Sequence, residues 1–151
     1  LLIYMVEIGE KELKDEAFFK KITNAKIPVL LLLNKIDTSN QEQLVTQVQL
    51  WAEKVPNAEI IPISALEGFN VREVFDRIIE LLPEKAIYYL CQANIPRALA
   101  INELEVSFKK AGMKYYKCGS VKNALQEAKE QSANDDLIFV GGSTFVVAEV
   151  V

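Results

Sequence analysis

The chain has 151 residues, half of them apolar and a quarter charged, a balance typical of a globular protein with a buried core. Its formal net charge is −4 and it has no basic tract, which argues against nucleic-acid binding. It contains no histidine, so Ser-His-Asp, Cys-His and His-metal chemistries are excluded. With no membrane-length apolar run, signal peptide or lipidation motif in the sequence, we expect a cytoplasmic protein without a membrane partner.

The sequence has two cysteines, Cys91 and Cys118, without metal-type spacing. We expect both to be small core residues of a protein in a reducing compartment. No metal ligand set is predicted.

Apolar runs of strand length alternate with amphipathic segments of helix length along the chain. The predicted strands span 1–6, 27–33, 58–64, 86–92, 114–118 and 137–140. Most of these runs are continuously apolar, which is typical of strands covered on both faces. A last short helix is predicted from about Thr144.

Strict alternation of strands and helices predicts an α/β fold with a mostly parallel sheet between two helical layers. We expect a doubly wound, Rossmann-like domain over 1–151 with six strands in the order 3-2-1-4-5-6. The segment 81–86 is the only candidate seam, between parts at 1–83 and 84–151.

Several residues are predicted to cap the first or the last turn of a helix. Asn70 and Glu73 have the spacing of a capping box, and Ser120 can cap the helix that follows it. Gly112 lies where a helix ending near Ala111 requires a left-handed residue.

The second predicted strand stops abruptly at three polar residues, Asn34, Lys35 and Asp37. An N-K-x-D run after a buried strand resembles the base-specificity motif of GTPases. In that motif the carboxylate accepts hydrogen bonds from guanine N1–H and the exocyclic amine, a donor pair that adenine lacks. The lysine stem covers the base, and the asparagine amide ties neighbouring loops together.

A second element follows the third strand. Ser64, Ala65 and Leu66 match the GTPase element whose backbone N–H faces guanine O6, and both elements lie at the carboxyl ends of adjacent strands. Other interpretations stay open. Asn34 could only bridge loops, and Lys35 and Asp37 could form a solvated pair before a helix. Its cap would then be Asp37, Thr38 or Ser39.

The similarity extends beyond the motifs. The stretches "LLIYMVEIGE", "IPVLLLLNKID", "EIIPISALEG" and "FDRIIELLPE" make residues 1 to about 83 resemble the second half of the G domain of an Era-type ribosome-assembly GTPase. The family's G-x-x-x-x-G-K-[ST] loop, switch threonine and D-x-x-G motif are not among the 151 residues. Without those motifs, we expect at best weak binding of GTP or GDP, no other cofactor and no hydrolysis.

Residues from about Lys85 onward lack the G-x-x-G loop of the KH domain that an Era-type protein would carry there. "AIYYLCQANIPRAL" and "VKNALQEAKEQSANDDLIFVGGSTFVVAEV" instead resemble the end of the C-terminal domain of bifunctional folylpolyglutamate synthase/dihydrofolate synthase, a Mur-ligase relative. That family uses ATP and Mg²⁺ to join glutamate to folates. Its central P-loop domain and its D-x-x-H-N adenosine contact are not in this sequence.

Two loops of this part could bind an anion. "VGGSTF" at 140–145 contains Gly141, Gly142 and Ser143 between a predicted strand and a helix start. Its alternative is a tight turn capped by Ser143 or Thr144.

"QANIPRAL" at 92–99 places Asn94 and Arg97 just after the fourth strand, at the predicted switch point. Arg97 could face an anion there, or it could pair with Glu7 in the loop after strand one, which also carries Glu10.

These observations predict a non-catalytic chimera, recombined or engineered, with no nucleic-acid or membrane partner and with a homodimer left open. The alternatives are a weak guanine-nucleotide binding module and a ligase fragment that needs a missing central domain.

Overall fold

The computed structural model describes residues 1–12, 16–96 and 98–151, with only the backbone of Glu16. The chain divides into two compact units, a first unit of Leu1–Leu82 and a second unit of Pro83–Val151. Each unit contains parallel strands and helices, which confirms the α/β class.

The first unit is a three-stranded parallel sheet with helices on both faces. Its elements are β1 (Leu2–Glu7), α1 (Glu16–Thr23), β2 (Val29–Asn34), α2 (Gln41–Lys54), β3 (Ala58–Pro62) and α3 (Val71–Glu80). The strand order is β1-β2-β3, so β2 is central and has the two predicted neighbours, whereas β1 lacks the predicted pairing with the fourth strand among the described residues.

The central strand β2 is buried from Val29 to Leu33. Val29, Leu31 and Leu33 face one core with α1 and α2, where Trp51 is fully buried. The alternate side chains of β2 face a second core with α3. That core contains Leu30, Leu32, Ile63 and Val74. The two cores follow from the alternation of side chains along a strand, and they give this unit its three layers.

Strand β1 is predicted to be buried on both faces, but only one of its faces is covered. Tyr4 and Val6 point towards the α1 side, where the Tyr4 ring lies 5.5 Å from the ring of Phe18. Ile3 and Met5 alternate with them and are 45% and 51% exposed. The prediction of full burial is wrong here because β1 is an edge strand of its sheet, whereas β2 has a neighbour on each side.

The capping box predicted at Asn70 is also wrong. Asn70 precedes α3 with φ of 56° and makes no side-chain cap, because its amide donates to the Pro62 carbonyl at 2.9 Å. Asparagine tolerates this left-handed conformation better than most residues. Its side chain therefore fixes the loop after β3 instead of the first turn of α3.

The second unit contains a two-stranded parallel sheet. Its elements are β4 (Tyr88–Leu90), α4 (Ile101–Lys110), β5 (Tyr115–Lys117), α5 (Val121–Gln131) and α6 (Thr144–Ala148). The Phe108 ring of α4 packs against the rings of Tyr88 and Tyr115, at 5.1 and 6.2 Å. The two helix termini predicted in this unit are confirmed: Ser120 accepts from the Asn123 N–H, and Gly112 has φ of +68°.

The predicted sixth strand is not found, so the single six-stranded sheet in the order 3-2-1-4-5-6 is not confirmed. The described residues form five strands in two sheets, and 137–140 belong to neither. Leu137 and Phe139 are 92% and 86% exposed. An apolar run forms a strand only where a neighbouring strand supplies hydrogen bonds. This run has no such neighbour among the described residues.

The cysteines of the second unit lie after its two strands, and Cys118 is buried as expected. Burial, with a contact of 3.6 Å between its Sγ and Glu127, raises the pKa of the Cys118 thiol from 9.0 to about 11. Burial also raises the pKa of Cys91, which is partly exposed. Both thiols are therefore protonated near neutral pH, but only Cys118 is the buried core residue that the sequence predicts.

This protonation predicts slow alkylation of Cys118. In a Cys91→Ser variant at pH 8, we expect iodoacetamide to modify the folded protein about 100-fold more slowly than the urea-unfolded chain, because its thiolate fraction is lower. Mass spectrometry of timed samples measures both rates. Equal rates in the folded and unfolded chains would contradict the burial of this thiol.

The double burial of β2 predicts a large loss of stability on truncation. We expect Leu31→Ala to lower the free energy of unfolding of the first unit by about 2–5 kcal/mol, because it leaves a cavity at a fully buried position. The single tryptophan, Trp51, reports urea unfolding of this unit. Val45→Ala, at an exposed position of α2, is the control and should change the value by under about 0.5 kcal/mol.

Candidate functional site

The carboxyl ends of β2 and β3 bring the two predicted guanine-recognition segments together. Parallel register pairs Leu33 with Pro62, so 34–40 and 64–70 leave the sheet at the same edge. The Ile36 N–H donates to the Ile63 carbonyl at 3.3 Å, and the Ile63 N–H donates to the Leu33 carbonyl at 2.8 Å. These backbone bonds fix the two loops relative to each other.

The carboxylate of Asp37 is held by a buried hydroxyl. Asp37 lies in a short 3₁₀ turn, Ile36–Thr38, and its Oδ1 accepts from Ser64 Oγ at 2.5 Å. Ser64 is 1% exposed, and its oxygen also accepts from the Glu67 N–H at 3.1 Å. The hydroxyl therefore orients Asp37, while the aspartate itself stays exposed to solvent.

Asn34 bridges the two loops, as one of the sequence-based interpretations predicts. Its Oδ1 accepts from the Ala65 N–H at 3.0 Å, and its Nδ2 lies 3.6 Å from the Met5 sulfur. Leu66, the next residue after Ala65, is 83% exposed at the loop surface. The structure thus brings Asn34, Asp37, Ser64 and Ala65 into one cluster.

Lys35 adopts a left-handed backbone conformation, with φ of 65° and ψ of 32°. Such a conformation costs a residue other than glycine about 1 kcal/mol or more, and it persists only where neighbours impose it. The Lys35 ammonium lies 2.6 Å from the carboxylate of Glu7, the last residue of β1. Glu7 is the register partner of Asn34, so the ends of β1 and β2 are adjacent.

Two alternative interpretations of the N-K-x-D run are wrong. Lys35 pairs with Glu7 and Asp37 with Ser64, so Lys35 and Asp37 are not each other's partners. The cap of α2 is Asn40, in a capping box with Gln43, and not an earlier residue. Asp37, Thr38 and Ser39 precede that cap because the 3₁₀ turn occupies the chain between strand and helix.

The loop at 140–145 of the second unit is a capped turn. Ser143 accepts from the Val146 N–H at 3.4 Å and begins α6, and Gly142 has φ of +126°. A side chain at Gly141 would collide with the Phe139 ring. No strand precedes these glycines, so the strand–loop–helix arrangement on which the anion-binding interpretation depends is absent from this segment.

The other loop predicted to bind an anion contains Asn94 and Arg97. The Asn94 N–H donates to a carboxylate oxygen of Glu149 at 2.8 Å, so the protein's own carboxylate occupies this donor. Arg97 lies outside the described residues, and its predicted contacts stay predictions.

The described ranges contain no group of three or more His, Cys, Asp or Glu side chains that could hold a metal ion. In the same ranges, no helix has both the length and the apolar character needed to cross a lipid bilayer.

Sequence reasoning missed the contact between Glu7 and Lys35, since it paired Glu7 with Arg97. The register offered the signal. Glu7 ends the first apolar run as Asn34 ends the second, and parallel strands place such ends side by side. The left-handed conformation of Lys35 has no comparable signal, because it depends on tertiary contacts.

Comparison with known proteins places this site in a family. A family model described as the elongation factor Tu GTP binding domain matches residues 2–84, which include every residue of the cluster.

Two proteins similar to the chain carry the name Era. The GTPase Era of Staphylococcus haemolyticus (strain JCSC1435) is 37% identical over 89 residues, which cover 58% of this chain and 30% of that protein. A crystal structure of an Era variant from Aquifex aeolicus, bound to GDP and AlF4⁻, is 31% identical with a TM-score of 0.47. It covers 56% of this chain and 29% of that one. The chain thus spans under a third of the length of either relative.

The contact between Ser64 and Asp37 predicts a specific cost on truncation. We expect Ser64→Ala to lower the stability of the first unit by about 1–3 kcal/mol, because the Glu67 N–H and the Asp37 carboxylate both lose a partner. Urea unfolding followed by Trp51 fluorescence measures it. Thr46→Ala removes an exposed hydroxyl from α2 and serves as the control. Equal midpoints for the two variants would contradict the orienting role of Ser64.

Proposed function

The chain belongs, through residues 2–84, to the family of the elongation factor Tu GTP-binding domain, and from that premise we propose that its first unit is a guanine-recognition half-domain. The observation that carries the proposal is the cluster of Asn34, Asp37, Ser64 and Ala65, in which each polar group is positioned by a partner from another segment.

Hydrogen-bond complementarity supports guanine as the base. A carboxylate such as that of Asp37 has lone pairs beyond the one that Ser64 uses, so it can accept from both guanine N1–H and the exocyclic amine. The Ala65 N–H can donate to guanine O6 when the base enters, in place of its bond to Asn34. Adenine offers a donor and an acceptor in the opposite places, so the same groups disfavour it.

The strength of binding follows from the number of contacts. Each base hydrogen bond contributes about 0.5–1.5 kcal/mol, or up to about 3 where a charge takes part. Association costs at least about 4 kcal/mol. We therefore expect dissociation constants in the range of about 1 mM.

Phosphate groups should contribute little to the affinity of this chain for nucleotides. Phosphate binding in GTPases depends on backbone N–H groups and a lysine around the phosphates, with Mg²⁺ on a hydroxyl. The G-x-x-x-x-G-K-[ST] loop that supplies these groups is not among the 151 residues. We accordingly propose that this polypeptide is not an enzyme and does not hydrolyse GTP.

The proposal for the whole chain is a non-catalytic protein assembled from two sources, with the second part related to a folylpolyglutamate synthase C-terminal domain. Its support is the boundary between the compact units at Leu82 and Pro83, close to residue 84 where the family match ends. The source gene tests an engineered origin of this assembly: two separate parent reading frames are expected, and a single uninterrupted natural frame would contradict it.

A nucleotide titration tests guanine recognition. GDP added to the ¹⁵N-labelled chain should produce saturable shifts at the amides of Asp37 and Ala65, and ADP should not. Asp37→Asn replaces one carboxylate oxygen by a donor, so it should weaken GDP binding by about tenfold or more. The absence of any shift at about 5 mM GDP, several times the expected dissociation constant, would overturn the proposal.

A further inference from the structure

The contact between Glu7 and Lys35 joins the ends of two strands at the edge of the cluster. The Glu7 carboxylate lies 2.6 Å from the Lys35 ammonium, and the two side chains are 53% and 52% exposed. The lysine side chain therefore spans from the end of β2 to the end of β1, beside Asn34.

The backbone around Glu7 is fixed by its own turn. The Glu7 N–H donates to the Glu10 carboxylate at 2.9 Å, and the Glu10 N–H donates to the Glu7 carbonyl at 3.1 Å. Gly9 has φ of +92° within this turn, a conformation that glycine adopts without strain. In addition, the Ile8 N–H donates to the Asn34 carbonyl at 2.9 Å. These hydrogen bonds therefore fix the backbone position of Glu7.

A free lysine side chain samples many rotamers, and ordering it opposes binding. An ion pair that holds the ammonium leaves fewer conformations for the methylene stem, so less freedom is lost when a base packs against it. The same pair neutralises the lysine charge, which would otherwise attract the phosphates of a nucleotide.

Given the proposed guanine site, on which this inference rests, we propose that Glu7 is a positioning residue that makes the site favour the neutral nucleoside. Its carboxylate holds the Lys35 stem in place as a wall for the base and withholds the lysine charge from phosphate groups. Glu7 thus raises the affinity for guanosine relative to the affinity for GDP.

The test compares guanosine and GDP binding to the full chain by NMR titration at low ionic strength. In Glu7→Gln, the ratio of the guanosine to the GDP dissociation constant should rise by about two- to fivefold, the range of an exposed ion pair. Glu53→Gln removes an exposed carboxylate of α2 as the charge-matched control and should leave the ratio unchanged. Glu7→Asp keeps the charge and should return the ratio towards the wild-type value.

A double-mutant cycle separates this role from a general change of charge or fold. Lys35→Met keeps the stem but removes the ammonium, so Glu7→Gln should have no further effect on guanosine affinity in that background. An equal effect of Glu7→Gln with and without the lysine ammonium would overturn the inference.

The outcomes distinguish the two proposals. Absence of guanosine binding by the wild-type chain would overturn the guanine site itself and, with it, the role of Glu7. Guanosine binding by the wild type with the same guanosine-to-GDP ratio in Glu7→Gln would leave the site standing and overturn the role of Glu7 alone.

Discussion

Burial of β2 on both faces is the constraint on which the site depends. Its odd and even side chains enter two different cores, so a shift of the strand by one residue would exchange them between the helical layers. The register of β2 is therefore strongly fixed, and so is the point at which Asn34 leaves the sheet. Parallel pairing then places Glu7 on one side and the loop after Pro62 on the other.

The loops at this edge are held by polar contacts that do not require a ligand. Ser64 is buried and uses its hydroxyl for both Asp37 and the Glu67 N–H, while Asn34 satisfies the Ala65 N–H. Lys35 keeps a strained backbone conformation between them. Groups fixed in this way lose little freedom on binding, which favours recognition of a base by a few hydrogen bonds. Phosphate binding in GTPases depends on a separate loop, whose backbone N–H groups and lysine surround the phosphates.

Much of the first unit could be predicted from sequence because its signals are local and agree with one another. The apolar run of β2 and the abrupt polar stop at Asn34 indicate a buried strand that ends at a site, and the structure places Asp37 and Ser64 together there. The residues that sequence reasoning misassigned depend on distant partners. Asn70 bonds to the Pro62 carbonyl instead of capping α3, and Lys35 reaches across to another strand.

The second unit was less predictable for a related reason. Its strands are three residues long each, shorter than the apolar runs that contain them. The run at 137–140 has the composition of a strand but no partner in the described sheets. Apolar composition records a tendency towards burial, whereas strand formation also needs a neighbouring backbone at the right distance.

Calorimetry with guanosine and with GTP plus Mg²⁺ tests most directly whether base contacts alone carry the binding. The two dissociation constants should agree within about tenfold, a difference of about 1.4 kcal/mol, and Mg²⁺ should change neither. A submicromolar dissociation constant for GTP that requires Mg²⁺ would contradict binding by base contacts alone. Such affinity needs contacts to the phosphates, which the cluster at Asn34, Asp37 and Ala65 does not provide.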